Sequence, residues 1–564
     1  MTAGNTADLT ADLVITGGTV VDGTGAAPYA ADVAVTDGRI SAIGQGLTGR
    51  QTLDATGHIV APGFIDIHTH YDAQVFWDPA LTPSCFHGVT TVVAGNCGFS
   101  IAPTRPEHHD VIARTLENVE DMDVATLEAG IPWDFSDFPG YLDSVERRGV
   151  GLNYTAYIGH TALRLYVMGM DAYERAATAA EIDAMAEVLR ESLRSGAAGF
   201  ATSFAKTHRG IDGKPVPSRL ADRAEIDALL AVVREERRGV VEFTPGEQLA
   251  IDDLYEIQPD IGVPFTYTAL MTTPTGAHER LVQLNRDGWA KGSQVWPQVS
   301  PRPLTFSFTL AEPFTLNSNP VFGELMAGGA DERRAAYADP AFRERALAAW
   351  QVEGAFLVPR WGTYTVDESS AHPDLLGSRL TDIAAERGTD PFHTLLDLAL
   401  DEPDLNLRMR CVLANDNVDA LLGILAEENC TLGLSDAGAH VGQLCDAPQA
   451  TDFLGKWVRE RNLMPVERAV RKLTGVQADI LGLTDRGYLR PGYWADVVVF
   501  DPATVAPGPI RRVRDFPADG ERLTADQPTG IRHVVVNGTP IQIDGTRNPT
   551  AGLPGQVVRV PTRA

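Results

Sequence analysis

The sequence of 564 residues is poor in basic side chains, in long apolar runs and in cysteine. With 47 basic against 75 acidic residues, its net charge of −28 argues against nucleic-acid or membrane-surface binding as a main role, because the chain is repelled by phosphates and anionic headgroups. No run approaches the roughly 18 apolar residues of a membrane span, and the first residues lack the basic start of a secretory signal. The cysteines are scattered and odd in number, which disfavours a disulfide framework and favours a reducing compartment. We therefore expect a cytoplasmic protein that acts on a small molecule. The five cysteines are Cys85, Cys97, Cys411, Cys430 and Cys445.

Short β-branched runs separated by turn signals occupy both ends of the chain. LVITGG, TVVDGTG and ADVAVTDGRISAIG stand near the start, and ADVVVFDP and IRHVVVNGTPIQIDG near the end. Each set alone would expose an apolar face, so pairing the two sets is the economical solution. The sequence therefore predicts one small β-sandwich domain built from residues 1–61 and 481–564.

Between residues 62 and 480, strand-like apolar runs alternate with amphipathic helical runs that end at glycine. Eight such runs predict an α/β fold of the TIM (β/α)8 barrel type. A stretch of more than about 100 residues, from about 300 to 428, breaks the rhythm and is far longer than an ordinary βα loop. We expect it to form a lid or flank at the mouth of the barrel. The eight candidate strands are GFIDIHTH, GVTTVVAGN, GLNYTAYIGH, GAAGFATS, RGVVEFTPG, GVPFTYTAL, SQVWPQVS and CTLGLSDAG.

Residues suited to a metal site follow three of these strands. His68 and His70 are two positions apart on a strand, so both imidazoles project to one face and can approach one ion. Cys97 follows the second strand, where a thiolate would be a strong ligand. Asp436 follows the last strand, where barrel enzymes place catalytic groups, and is our candidate general base. The alternative that Asp436 only caps a following helix stays open.

These segments together resemble the amidohydrolase superfamily, and within it the N-acyl-D-amino-acid deacylases. The resemblance is carried by LVITGGTVVDGTG, VAPGFIDIHTHYD, GVTTVVAGNCG, SDAGAH and LRPGYWADVVVFDP, in the family's order over nearly the whole chain. It implies a TIM barrel with a composite β-sandwich, one or two divalent ions with zinc as the expected metal, and hydrolysis of an amide that joins an acyl group to a D-amino acid. In this resemblance His68, His70, Cys97 and Asp436 match metal-site positions, and Asp436 also matches the catalytic acid/base.

The resemblance fails at two ligand positions. The family supplies two further histidines from the ends of the fifth and sixth strands, but here these strands read GVVEFTP and PFTYTA. Glu242 could replace one of them, although its strand position leaves an outward orientation open. His160 and His208 are further candidates near the barrel mouth, and Lys206 could be carbamylated to bridge two metals.

The expected activity is hydrolysis of a C–N bond other than a peptide bond by metal-activated water, with Asp436 taking and returning the proton. Lys206, Arg209 and Arg302 are candidates to bind the carboxylate of an N-acyl-D-amino acid. Two alternatives stay open, because a fold does not fix a substrate. One is hydrolysis of a cyclic amide or carbamate, and the other is a metal-free barrel that serves as a binding or scaffolding protein.

Overall fold

The computed structural model describes residues 10–326, 328–353, 355 and 357–563, and in them eight parallel strands form one curled sheet. Each strand pairs in parallel with the next one along the sheet. The first and last strands are joined by a parallel bridge between Thr69 and Ala437, where the His70 amide donates to the Ala437 carbonyl at 2.7 Å. The predicted barrel and its eight strand segments are confirmed. The strands are Phe64–Asp66, Val89–Ala94, Asn153–Gly159, Gly199–Ser203, Val240–Thr244, Phe265–Tyr267, Val295–Val299 and Thr431–Leu432.

Amphipathic helices connect the barrel strands and bury one apolar face each. The helix Ala179–Arg194 buries Met185 and Leu189 and begins with a capping box between Thr178 and Glu181. Ser195 is its C-cap and Gly196 follows with a φ of 103°, so the helix ends at the predicted glycine. The helices of the barrel are His109–Glu120, Val124–Gly130, Phe138–Arg148, His160–Met168, Ala179–Arg194, Arg223–Glu236, Ile251–Ile261, Ala277–Ala290, Val418–Ala426, Gln449–Asp452, the π-helix Phe453–Glu460, Val466–Leu473 and Gly475–Leu481.

The two ends of the chain meet in a β-sandwich. Its first sheet has the order Arg39–Gly44, Asp32–Thr36, Ala11–Thr16 and Gly49–Asp54. The second has the order Thr546–Arg547, Thr539–Ile543, Ile531–Val536, Val497–Phe500, Ile59–Pro62, Thr19–Val20 and Tyr29–Ala30. Apolar residues from both ends of the chain, such as Ile15, Val60 and Val499, share one buried core. The composite sandwich is thus confirmed as part of the fold.

The last described residues contact the barrel. Val557 pairs with Tyr154, and Thr562 pairs with Arg238, so this segment lies against the barrel. A further hairpin, Arg511–Phe516 with Gly520–Thr524, reaches the barrel through hydrogen bonds from Arg522 to Thr82. The boundaries at 61/62 and 480/481 stay a prediction.

The insertion between the seventh and eighth barrel strands has its own apolar core. Its three-stranded antiparallel sheet has the order Leu304–Thr309, Arg408–Ala414 and Thr365–Glu368. The helices of its described residues are Pro320–Gly323, Ala330–Ala338, Pro340–Trp350, Leu380–Arg387 and Pro391–Asp401. Phe306 and Phe314 of this insertion contact His440, which follows the last barrel strand; their ring centroids lie 5.2 and 5.4 Å from that of His440.

None of the helices in the described part of the chain has both the length and the apolar character needed to cross a membrane.

Candidate metal centre

Three of the four proposed ligands meet where the first and last barrel strands adjoin. His68 and His70 follow the first strand, are 0 % and 6 % exposed, and have their Nε2 atoms 3.4 Å apart. Asp436 Oδ1 lies 3.0 Å from His68 Nε2 and 3.8 Å from His70 Nε2. The pairing of Thr69 with Ala437 places these side chains together, because each residue of that pair neighbours a proposed ligand. Asp436 does not cap a helix, since the residues that follow it form turns.

Cys97 reaches the same point from the turn that follows the second strand. Its Sγ atom is 3.6 Å from His68 Nε2, and the donor atoms of Cys97, His68 and His70 all lie within 4.8 Å of one another. Among the residues that the structure describes, these three form the cluster of histidine, cysteine and acidic side chains that could hold an ion. The structure therefore brings together residues from three distant parts of the sequence.

The other ring nitrogen of each imidazole lies close to a polar side chain. His68 Nδ1 is 2.6 Å from Gln298 Oε1, and the Gln298 amide donates to Thr266 Oγ1 at 3.3 Å. His70 Nδ1 is 3.2 Å from Glu120 Oε1. Such partners fix the tautomer and aim Nε2, as is common for metal-binding histidines. Sequence reasoning missed Glu120 and Gln298; a polar residue within the apolar run VWPQV was the only sign of Gln298.

The electrostatics of the cluster favour positive charge at its centre. Burial alone lowers the pKa of His68, but Cys97 and Asp436 outweigh it and raise that pKa well above its usual value. Burial likewise opposes the raised pKa of His70, which Glu120 and Cys97 produce. Burial raises the pKa of Asp436, yet the two imidazoles hold it well below its usual range. A divalent cation can supply the positive charge that these protons supply.

Glu242 points into the barrel and contacts the ligand set. It is 0 % exposed, and its Oε2 accepts a hydrogen bond from the Cys97 amide at 2.8 Å. Its Oε1 accepts one from Thr268 Oγ1 at 3.0 Å. The orientation that the sequence left open is therefore inward. The end of the sixth strand contributes the hydroxyls of Thr266 and Thr268, where the resemblance implies a histidine.

The other candidates from the sequence play different parts. His160 is buried between Thr202 Oγ1 at 2.8 Å and Glu225 Oε1 at 2.7 Å, away from the cluster. His208 lies against Phe99 and pairs with Ser203 Oγ at 2.6 Å. Burial lowers the pKa of His208 to about 4, and the charges of Glu120, His440 and His70 also act on it, which indicates a place near the mouth.

The cationic candidates already have partners. Lys206 has a 60 % exposed side chain and pairs with Glu247 at 2.7 Å, which is a solvated ion pair and not a buried bridging position. Arg302 pairs with Asp446 at 2.6 Å, and Arg209 donates to the Gly213 carbonyl at 2.9 Å.

Comparison with known proteins shows the family to which this barrel belongs. The model of the Amidohydrolase family matches residues 51–542, and the chain belongs to that family, as the resemblance predicts. The N-acyl-D-aspartate deacylase of Alcaligenes xylosoxydans xylosoxydans is 30 % identical over 567 residues, which cover 97 % of this chain and 95 % of that protein.

Solved structures agree with this assignment. The N-acyl-D-glutamate deacylase of Bordetella bronchiseptica, complexed with zinc and a phosphonate inhibitor, is 30 % identical with a TM-score of 0.68, covering 98 % of this chain and 100 % of that chain. A D-aminoacylase with a binuclear metal center is 28 % identical with a TM-score of 0.66, covering 97 % and 99 %.

Proposed function

We propose that this amidohydrolase is a metal-dependent hydrolase of N-acyl-D-amino acids, with His68, His70, Cys97 and Asp436 as ligands of a divalent ion. The observation that carries the proposal is that the donor atoms of His68, His70 and Cys97 all lie within 4.8 Å of one another, with Asp436 Oδ1 adjoining both imidazoles. Zinc is the expected ion, since two imidazoles, a thiolate and a carboxylate are a donor set that suits it.

The spacing of the donors fits a tetrahedral ion. With Zn–N distances of about 2.0–2.1 Å and a Zn–S distance of about 2.3 Å, tetrahedral edges are about 3.3 Å between nitrogens and about 3.6 Å between nitrogen and sulfur. The corresponding distances are 3.4 Å between the two Nε2 atoms and 3.6 Å between His68 Nε2 and Cys97 Sγ. Asp436 Oδ1 adjoins these three donors, 3.0 and 3.8 Å from the two Nε2 atoms, and a five-coordinate ion would keep a position for water. The residues present therefore fit the metal.

When bound, a divalent ion supplies a water of lowered pKa and polarises the scissile carbonyl. The neighbouring imidazoles lower the pKa of Asp436 in the metal-free protein, and a bound cation would keep its carboxyl ionised in their place, so its Oδ atoms can accept the proton of the attacking water. The same carboxyl returns this proton to the departing nitrogen. Gln298 adjoins His68 Nδ1 and Glu120 adjoins His70 Nδ1, so both rings present Nε2 to the ion.

The relatives support the substrate class. The N-acyl-D-aspartate and N-acyl-D-glutamate deacylases match nearly the whole chain and are each 30 % identical to it. A small-molecule substrate also agrees with the net charge of −28, which argues against nucleic-acid and membrane-surface partners. We further propose a cytoplasmic location, supported by five cysteines that are all buried free thiols.

The test is a substrate panel with zinc-loaded protein. N-acetyl and N-formyl D-amino acids are compared with their L-isomers and with hydantoins and dihydropyrimidines, and His68→Ala serves as the inactive control. We expect hydrolysis of the D-isomers in clear preference to the L-isomers. Cleavage of only the cyclic amides would replace the proposed substrate class, and no turnover despite a full metal load would refute the hydrolase.

A further inference from the structure

Cys97 occupies a backbone conformation that needs support. Its φ is 55°, in the left-handed region that a residue with a Cβ adopts at a cost. The residue is 7 % exposed, so its amide cannot rely on water. The acceptor for this amide is Glu242 Oε2 at 2.8 Å. Glu242 thus stabilises the one turn conformation that points Sγ at His68.

Both oxygens of the Glu242 carboxylate accept hydrogen bonds. While Oε2 accepts from Cys97, Oε1 accepts from Thr268 Oγ1 at 3.0 Å. Thr268 Oγ1 is also 3.4 Å from His68 Nδ1, so the same hydroxyl adjoins the next ligand. On the seventh strand, Gln298 is likewise committed to His68. The polar side chains at the ends of strands five to seven therefore contact the ligands, and among the described residues they form no second cluster of histidine, cysteine and acidic groups.

We propose that this chain binds one metal ion and that Glu242 is a positioning residue for Cys97 and not a ligand of a second ion. The inference rests on the proposed function only for the presence of a metal. It separates this chain from the related D-aminoacylase with a binuclear metal center. In the described part of the chain, the cluster of His68, His70 and Cys97 is the group with metal-binding composition and spacing.

The experiment counts ions and follows the thiolate. Metal-free protein is loaded with Zn²⁺ for elemental analysis and titrated with Co²⁺, whose thiolate charge-transfer band reports Cys97 coordination. The wild-type chain should bind one ion and show the band. E242Q should keep both, because its amide oxygen can accept from the Cys97 amide while its NH₂ group donates to Thr268 Oγ1. E242A should lose intensity in the band and bind the metal about 10–100-fold more weakly. C97A shows what complete loss of the band looks like.

Two results would overturn the proposal. Two ions in the wild-type chain that fall to one in E242Q would make Glu242 a ligand. An unchanged band and affinity in E242A would remove its positioning role. If E242A does not fold, the wild-type stoichiometry and E242Q still decide. The count requires no substrate, so a chain that hydrolyses no N-acyl-D-amino acid can still support this inference, and an active enzyme with two ions would refute it alone.

Discussion

Replacing Gln298 by leucine tests whether the metal affinity depends on the orientation of His68. The substitution removes the acceptor 2.6 Å from His68 Nδ1 and leaves Thr268 Oγ1, at 3.4 Å, as the nearest alternative. The imidazole can then rotate, and its buried N–H loses its main partner. Removing a partner of this kind costs about 10–100-fold in metal affinity. That factor corresponds to about 1.4–2.8 kcal/mol of binding free energy.

The assay is competition for Zn²⁺ between the protein and a chromophoric chelator, with thermal unfolding measured in parallel. Gln258→Leu is the matched control, because Gln258 is also buried and its amide bonds to the Val263 carbonyl and the Gln294 amide away from the centre. We expect both variants to lose stability and only Gln298→Leu to lose metal affinity. Equal affinity in Gln298→Leu and the wild type would refute the idea that this hydrogen bond prepares His68 for the ion.

Three further predictions concern proton transfer by Asp436, the place of His160 outside the metal centre, and the pH dependence of Zn²⁺ affinity. Asp436→Asn should lower kcat about 10²–10⁴-fold in a folded protein, measured by steady-state kinetics with the best substrate, and full activity would contradict its role. Glu225→Gln removes the carboxylate charge that pairs with both Arg164 and His160. We expect the free energy of unfolding in urea to fall by about 3–5 kcal/mol, with the metal content unchanged. A lowered metal content at unchanged stability would instead place His160 at the centre. The neighbours of His68 and His70 raise the pKa of both imidazoles, and a metal ion binds only the unprotonated nitrogen, so metal binding competes with protons. Apparent Zn²⁺ affinity should therefore rise with pH through the neutral range in chelator competition, and a flat profile would contradict this.

The barrel was predictable because each of its strands is a short apolar run followed by polar or turn residues. The closed sheet buries both faces of these strands, so the signal is continuous apolarity and not alternation. Because the apolar residues do not alternate with polar ones, the sequence does not show which way Glu242 points. Val240 packs inside the barrel, whereas Val241 and Phe243 pack against the outer helices, and all three are apolar. Only the register in the closed barrel shows that Glu242 shares the inner face with Val240.

The proposed ligands were predictable because they follow strands directly, where a β/α barrel gathers its functional groups. The two residues that orient the histidines were not. Gln298 meets His68 across 230 positions of sequence, and Glu120 is the last residue of a helix with no motif around it. No local periodicity encodes such contacts, since they arise only when the eight strands close.

The proposed ligands lie on one side of the barrel mouth, and the turn after the second strand links them to the other side. All four proposed ligands follow strands eight, one and two, which are neighbours once Thr69 pairs with Ala437. The turn with Cys97 leans over the fourth strand so closely that a Cβ on Gly98 would meet the Ala201 carbonyl at 3.1 Å. This approach requires the left-handed backbone found at Gly98, where φ is 75°, and it carries the Cys97 amide within reach of the fifth strand. The Glu242 side chain on the fifth strand can then accept a hydrogen bond from this turn. Glu242, on the fifth strand, where the resemblance implies a histidine, thus supports Cys97 by accepting a hydrogen bond from the Cys97 backbone amide.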